Sequence, residues 1–200
     1  MRAYLLTNGA RRMAVIDIYH TNNKYDVIYT DPPWKQTRGG YHKARPFTSG
    51  NALPYDVMDL ADIKELHRFV FENLAAERHN VFMWTIEKYL RDTEDMMREL
   101  GYKLHVRFVW DKGNGPTPAY TVRFQHEYLL WFFKPGGIVL PRDEMRGKFG
   151  SVLREGHTVH SRKPDCAYTM IEQMFPADAR RLELFARRQR AGWDSYGNEL

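Results

Sequence analysis

Two adjacent prolines directly after an apolar run constrain this chain more than any other feature. Tyr-Asp-Val-Ile-Tyr-Thr, residues 25–30, reads as a short buried β-strand, and Asp31-Pro32-Pro33-Trp34 follows it. Each proline fixes φ and removes a backbone donor, so the strand stops and the carbonyls of Asp31 and Pro32 fall outside ordinary ladder pairing. What remains is a rigid acceptor cluster: the Asp31 carboxylate, a proline carbonyl and the flat Trp34 ring. It stands at the carboxyl end of a strand, where open α/β sheets place their ligands. A planar group carrying an NH2 suits such a set. Taken alone, the tetrapeptide is equally ordinary turn chemistry followed by a hydrophobic plug.

Around this point strands and helices alternate. Met13–Tyr19 reads as a first strand, apolar except for Asp17, whose carboxylate could accept from a nucleotide or simply open a turn. Residues 35–51 are rich in Gly, Ser, Lys and Arg without a period, as expected of a loop over the site. From about Asp59 a helix carries Ile63, Leu66, Phe69, Val70 and Leu74 on one face. Residues 80–85 read as a strand and residues 86–100 as a second amphipathic helix, stopped by Gly101. Tyr102–Trp110 and residues 128–133 follow as strands, and Gln125-His126-Glu127 opens the second of these. His126 and Glu127 are polar groups at a sheet edge, readable either as caps or as contacts to a substrate. Residues 136–159 read as irregular and basic, Pro164–Phe175 as a helix and Arg181–Arg187 as a last strand. The expected fold is a single three-layer α/β domain over residues 1–200, with residues 1–11 flexible and residues 35–51 and 136–159 facing the substrate.

Composition narrows the function classes. The single cysteine, Cys166, excludes an internal disulfide, and the eight histidines come without a Cys-x-x-Cys pair, so no metal is expected and a reducing cytoplasm fits. No stretch approaches the roughly 18 apolar residues of a membrane span. Thirty Lys and Arg against 25 Asp and Glu leave a net charge of +5, a modest attraction for polyanions. The excess gathers at Lys35, Arg38, Lys43 and Arg45, and again at Arg142, Arg146, Lys148 and Arg154. Solvated loops explain this as well as nucleic acid does.

Four separated segments then line up: Asp31-Pro32-Pro33-Trp34, Leu53-Pro54-Tyr55, His160-Ser161-Arg162-Lys163-Pro164-Asp165 and Glu183-Leu184-Phe185-Ala186-Arg187, with Gly197-Asn198 after them. Together they resemble the DPPW-type adenine amino-methyltransferases. This is the MT-A family, which includes the messenger-RNA adenosine methyltransferase catalytic subunit and small bacterial and phage proteins. The resemblance runs from about Asp17 to the end of the chain. It implies a Rossmann-like methyltransferase fold with permuted motif order, using S-adenosylmethionine and yielding S-adenosylhomocysteine.

Carried over, Asp31, Pro32, Pro33 and Trp34 resemble the catalytic loop, with Asp31 also near the cofactor. Asp17 and Ile18 resemble the pair that reads the cofactor's adenine, Lys163 the cation for its carboxylate, and Phe185 an aromatic beside its ring. Arg187 and Asn198 would meet its ribose region, with Glu183 in the same pocket. Trp34 and Tyr55 would hold the acceptor base, with Lys35, Arg38, His126 and Glu127 as further substrate contacts. The implied reaction is N6-methylation of adenine in DNA by direct displacement. RNA is the alternative substrate, and a non-catalytic nucleic-acid-binding subunit the alternative class. A homodimer or a partner chain stays open, and the implied setting is a bacterial or phage-infected cytoplasm. One departure stands out: where the messenger-RNA enzyme has His-Asn after its equivalent of Arg187, this chain has Gln189-Arg190.

Overall fold

The computed structural model describes residues 14–35, 57–113, 122–156, 162–198 and 200. Within them the chain forms β1 (Ala14–Val15), β2 (Tyr25–Thr30), α1 (Leu60–Asn73), β3 (Ala75–Thr85), α2 (Leu90–Glu99) and β4 (Lys103–Asp111). Then come β5 (His126–Phe133), β6 (Val152–Arg154), α3 (Asp165–Met174), β7 (Arg181–Leu184) and β8 (Asp194–Tyr196). These eight strands make one sheet in the order β1-β8-β7-β2-β3-β5-β4-β6. Every neighbour pair is parallel except those made by β5, which runs antiparallel to β3 and β4.

The apolar run before the prolines is therefore the central strand, and its side chains alternate between two cores. Tyr25 and Ile28 join Val81, Met83, Leu130 and Leu182 beneath α1 and α2, which contribute Ile63, Val70, Met96 and Met97. Val27 and Tyr29 join Phe82, Trp84, Leu129 and Trp131 beneath α3, which contributes Ala167, Tyr168 and Ile171. A strand covered on both faces is mostly apolar, and the two polar side chains of β2 are satisfied locally: the Asp26 carboxylate accepts from Arg180 N at 2.8 Å and the Thr30 hydroxyl meets the His67 ring at 3.0 Å. Burying each such large side chain contributes about 1.5–3 kcal/mol. The architecture is three-layered and Rossmann-like, as the sequence implied. No helix among the described residues is long and apolar enough to cross a membrane.

Several boundaries differ from the sequence reading for local reasons. The expected strand over residues 13–19 pairs only at Ala14 and Val15, because the backbone turns at Asp17: its carbonyl accepts from His20 N and its carboxylate from Tyr19 N. The last expected strand stops at Leu184, since Phe185 adopts a left-handed conformation with φ 58°. The second helix divides into a 3-10 turn at Glu87–Tyr89 and α2, and Gly101 ends it at φ 86° as expected of a C′ glycine. Strand β8, in the tail, was not foreseen.

The stretch read as irregular and substrate-facing, residues 136–159, contains a 3-10 turn at Asp143–Met145 and β6, with Leu153 buried. Its first part lies along the amino ends of the strands. There Gly137 O accepts from His79 N, Val139 O from the Asn80 amide, and Arg142 N donates to Met174 O at the end of α3. That corrects the placement of Arg142, because the edge in question is opposite Asp31. Only with β6, which runs parallel to β4, does the chain return toward the site.

Candidate active site

The prolines end β2 as their chemistry requires, but the carbonyls are not all idle. Trp34 N donates to Pro32 O at 2.8 Å and Met58 N donates to Pro33 O at 3.1 Å, tying the loop to the entrance of α1. A carbonyl oxygen has two lone pairs, so Pro32 keeps one for another donor. The Trp34 side chain is 5% exposed, its indole N–H donates to Trp84 O at 3.2 Å, and its ring stacks on Tyr89 at 5.2 Å. The plug reading of Trp34 thus describes its packing, and its ring is already occupied on one face. Lys35 leaves the loop toward solvent and pairs with Asp59 at 3.0 Å.

Beside the loop lies a row of alternating charges. Lys163, just ahead of α3, places its ammonium 3.0 Å from Asp31 Oδ1 and 2.7 Å from Glu127 Oε2. Lys112, just past β4, pairs with the other oxygen of Glu127. Lys112 and Glu127 stand at the adjoining ends of the antiparallel strands β4 and β5, while Asp31 and Lys163 come from segments distant in sequence and are brought to them only by the fold. The Lys163 ammonium also sits 5.2 Å over the Trp84 ring.

The two carboxylates respond differently. Burial pushes the Asp31 carboxyl above its ordinary value, against the opposing pull of Lys163. Burial acts on Glu127 in the same sense, yet Lys163 and Lys112 together bring it down to about 2. For Lys163, burial opposes the charge, but the two carboxylates more than offset it and its affinity for the proton rises.

A second polar string lies beneath, on the α3 side. Trp84 N–H donates to Tyr29 Oη at 2.5 Å, and Tyr168 Oη donates to Glu183 Oε1 at 2.6 Å, with the Tyr29 and Tyr168 rings 4.6 Å apart. Glu183 is 6% exposed and its other oxygen, Oε2, has no hydrogen-bond partner. Burial raises its carboxyl to about 7. Arg188 and Arg190 stand over the outer face of Tyr168 at 5.4 and 4.9 Å. The departure at Gln189-Arg190 gains a physical meaning here, because Arg190 pairs with Glu172 at 2.6 Å and Asp165 at 3.1 Å, knitting the loop after β7 to α3.

Ile18 is buried in the core under α1, and the Asp17 carboxylate accepts from Tyr19 N at 2.9 Å and meets the His20 ring at 2.7 Å. Phe185, turned off the strand by its left-handed backbone, lies 6.2 Å from the buried His67 ring. Gly197 permits the close crossing of β8 over Ala186: a Cβ there would stand 2.1 Å from the Ala186 carbonyl. Asn198 follows, exposed. Arg187 contributes positive potential at Asp31. His126 does not join the charge row; it bonds Tyr128 Oη at 3.0 Å, which in turn donates to Glu87.

Tyr55, Arg38, Lys43 and Arg45, with the Leu53-Pro54-Tyr55 motif and His160-Ser161, lie outside the described residues. Lys112, Tyr29, Tyr168 and Tyr89 were missed by sequence reasoning, for none sits in a motif. Glu155 was also missed; its carboxylate accepts from Asp165 N and Cys166 N at 2.8 and 2.7 Å and so caps α3. A lone acid after a three-residue strand gives no signal of that role.

Comparison with known proteins agrees with this geometry. The family model described as MT-A70 matches residues 145–199. The chain is 32% identical over 191 residues to the Type II methyltransferase M.MunI of Mycoplasma sp, covering 88% of this chain and 78% of that protein. It is 29% identical over 188 residues to a putative N(6)-adenosine-methyltransferase MT-A70-like protein of Medicago truncatula, with 88% of this chain covered but only 26% of the plant protein. The N6-methyladenosine RNA methyltransferase MTA1 of Pyricularia oryzae matches at 28% over 193 residues, 47% of its length. With the Asp-Pro-Pro-Trp loop at the end of the central strand and Lys163 beside it, the chain belongs to the MT-A70 family of adenine methyltransferases.

Proposed function

We propose that this chain transfers a methyl group from S-adenosylmethionine to the exocyclic 6-amino group of adenine in DNA. The observation that carries the reading is Asp31: a carboxylate anchored at the end of β2, raised by burial, and balanced by the Lys163 ammonium at 3.0 Å. The donor set fits the cofactor. Its amino-acid end is a zwitterion, and Lys163 with Asp31 offers a cation and an anion side by side. Its adenine suits Asp17, Ile18 and Phe185, and its ribose suits Arg187 and Asn198. No phosphate loop follows β1, and this cofactor has no phosphate.

When bound, S-adenosylmethionine supplies an electrophilic methyl. The work of the chain is on the acceptor, whose amino lone pair is delocalised into the ring. Asp31 and the second lone pair of Pro32 O would accept hydrogen bonds from its two N–H groups, leaving the nitrogen free to pyramidalise; of those two protons one would stay on the product nitrogen and one would pass to the Asp31 carboxylate, S-adenosylhomocysteine being the leaving group. A charge-assisted hydrogen bond contributes about 1.5–3 kcal/mol, whereas in-line positioning can supply about 7–11 kcal/mol. Positioning therefore dominates, which is the use of a loop pinned by Pro32, Pro33, Met58 and the buried Trp34. Tyr55, Lys35 and Arg38 are proposed to meet the nucleic acid, and a duplex would have to release the base first.

DNA is favoured because the relative named as a Type II methyltransferase is matched over most of its own length. RNA is the second reading, supported by the adenosine and RNA methyltransferases matched over a quarter to a half of theirs. Intact Asp31 and Trp34 argue against a purely non-catalytic subunit. Incubation with S-adenosylmethionine and adenine-containing DNA or RNA oligonucleotides, followed by digestion and nucleoside mass spectrometry, tests this. N6-methyladenine in DNA is the expected product. Product in RNA alone selects the second reading, and none in either with cofactor binding intact selects the non-catalytic one.

A further inference from the structure

The row Lys112–Glu127–Lys163–Asp31 alternates in sign, and each of its side chains is no more than 21% exposed. Lys112 stands at the end farthest from Asp31. It holds Glu127 Oε1 and lies 5.1 Å over the Trp110 ring. Glu127 offers its two oxygens to two different lysines, and Lys163 is shared between two different carboxylates. We propose that Lys112 is a positioning residue for Asp31: by taking half of the Glu127 charge, it leaves Lys163 able to hold Asp31 in place.

The electrostatics run in one direction. Without Lys112, Glu127 would have only Lys163 among these cations and would draw it away from Asp31, while one positive charge would leave the neighbourhood. Both changes favour a protonated Asp31, which could no longer accept an amino proton. Without the Glu127 charge, Lys163 would belong wholly to Asp31 and a like charge would be gone, so both changes favour the carboxylate. The other groups acting on Asp31 are Arg187 after β7, Tyr29 on β2 and Glu183 on β7. All three stay in place in either variant.

This inference rests on the reading of Asp31 as the acceptor of the amino protons, but its test needs neither cofactor nor nucleic acid. In the full chain labelled with carboxyl-13C aspartate, the Asp31 signal is assigned by its loss in Asp31→Asn and titrated by NMR. Lys112→Gln should move the Asp31 midpoint up by at least about half a pH unit, Glu127→Gln should move it down, and Lys112→Arg should restore the wild-type value. A purely structural Lys112, propping the Trp110 ring, would leave the midpoint unmoved in Lys112→Gln. An unmoved midpoint, or shifts of the same sign in Lys112→Gln and Glu127→Gln, overturns the proposal. Should Lys112→Gln not fold, the sign of the Glu127→Gln shift decides it: down supports the shared-lysine row, and up or unchanged overturns it.

Discussion

The two ends of the sheet use charge in opposite ways. At the carboxyl ends of the parallel strands, charged side chains bind one another: Lys112 to Glu127, Glu127 to Lys163, Lys163 to Asp31. At the amino ends the arginines bind chiefly the backbone, although Arg142 also pairs with Glu144 at 3.0 Å. Arg78 donates to Ile138 O at 2.9 Å, Arg142 to Gln173 O at 2.7 Å, and Arg181 to Ala179 O and Pro176 O at 2.9 and 2.8 Å. A guanidinium that caps carbonyls has a fixed assignment. Carboxylates and ammoniums that share one another can redistribute when a ligand enters, and a reaction requires that. Of these three arginines only Arg142 stands in the basic stretch that the sequence offered for substrate contact, and its guanidinium is engaged at this edge.

The sharpest way to break this comparison is Asp31→Asn. Methyl transfer should fall by at least about 10²-fold, because the amide replaces an acceptor with a mixed donor, while the thermal midpoint should change little since Lys163 keeps Glu127. Retained turnover in the nucleoside assay would remove Asp31 from the proposed chemistry.

The next effect is one of stability. Glu183 titrates near 7 in the folded protein against an ordinary 4.5, with burial as the main cause. The raised folded value means that its stabilising contribution is full below pH 4.5 and is lost as pH rises through about 7, on the order of 3 kcal/mol. Glu183→Gln should flatten that slope in urea titrations between pH 5 and pH 8. An unchanged slope would mean that another group titrates.

At the amino edge, Arg142→Ala should cost about 1 kcal/mol by denaturant unfolding, chiefly from its lost bonds to Gln173 O with a small part from its exposed pair with Glu144, with specific activity unaltered. A fall in activity without a fall in stability would contradict the division between the edges. The smallest effect belongs to neither edge. Arg98→Ala, on the outer face of α2, removes an exposed pair with Asp95 and should shift stability by no more than about 0.5 kcal/mol.

Legibility followed the range of the physical cause. The strand over residues 25–30, its stop at the prolines, the Gly101 helix end and the extents of α1 and α3 were readable because each depends on neighbours within a few residues. Lys163, Glu127 and Asp31 were named from sequence, but as separate contacts to a cofactor, a substrate and an amino group. Their mutual pairing was not visible, since nothing local records that β5 runs antiparallel into the site and brings Glu127 to the end of β2. Trp34 reads in sequence either as a hydrophobic plug or as a ring for the acceptor base; the partner that stacks on it, Tyr89 from the turn before α2, is visible only in the fold.

By itself, then, the sequence determined where the central strand ends and which rigid group ends it. Proline fixes its own φ and lacks an N–H whatever surrounds it. The tertiary structure alone decided the charge state of that group. Whether Asp31 is an anion depends on burial and on Lys163, which stands more than a hundred residues away along the chain but 3.0 Å away in space.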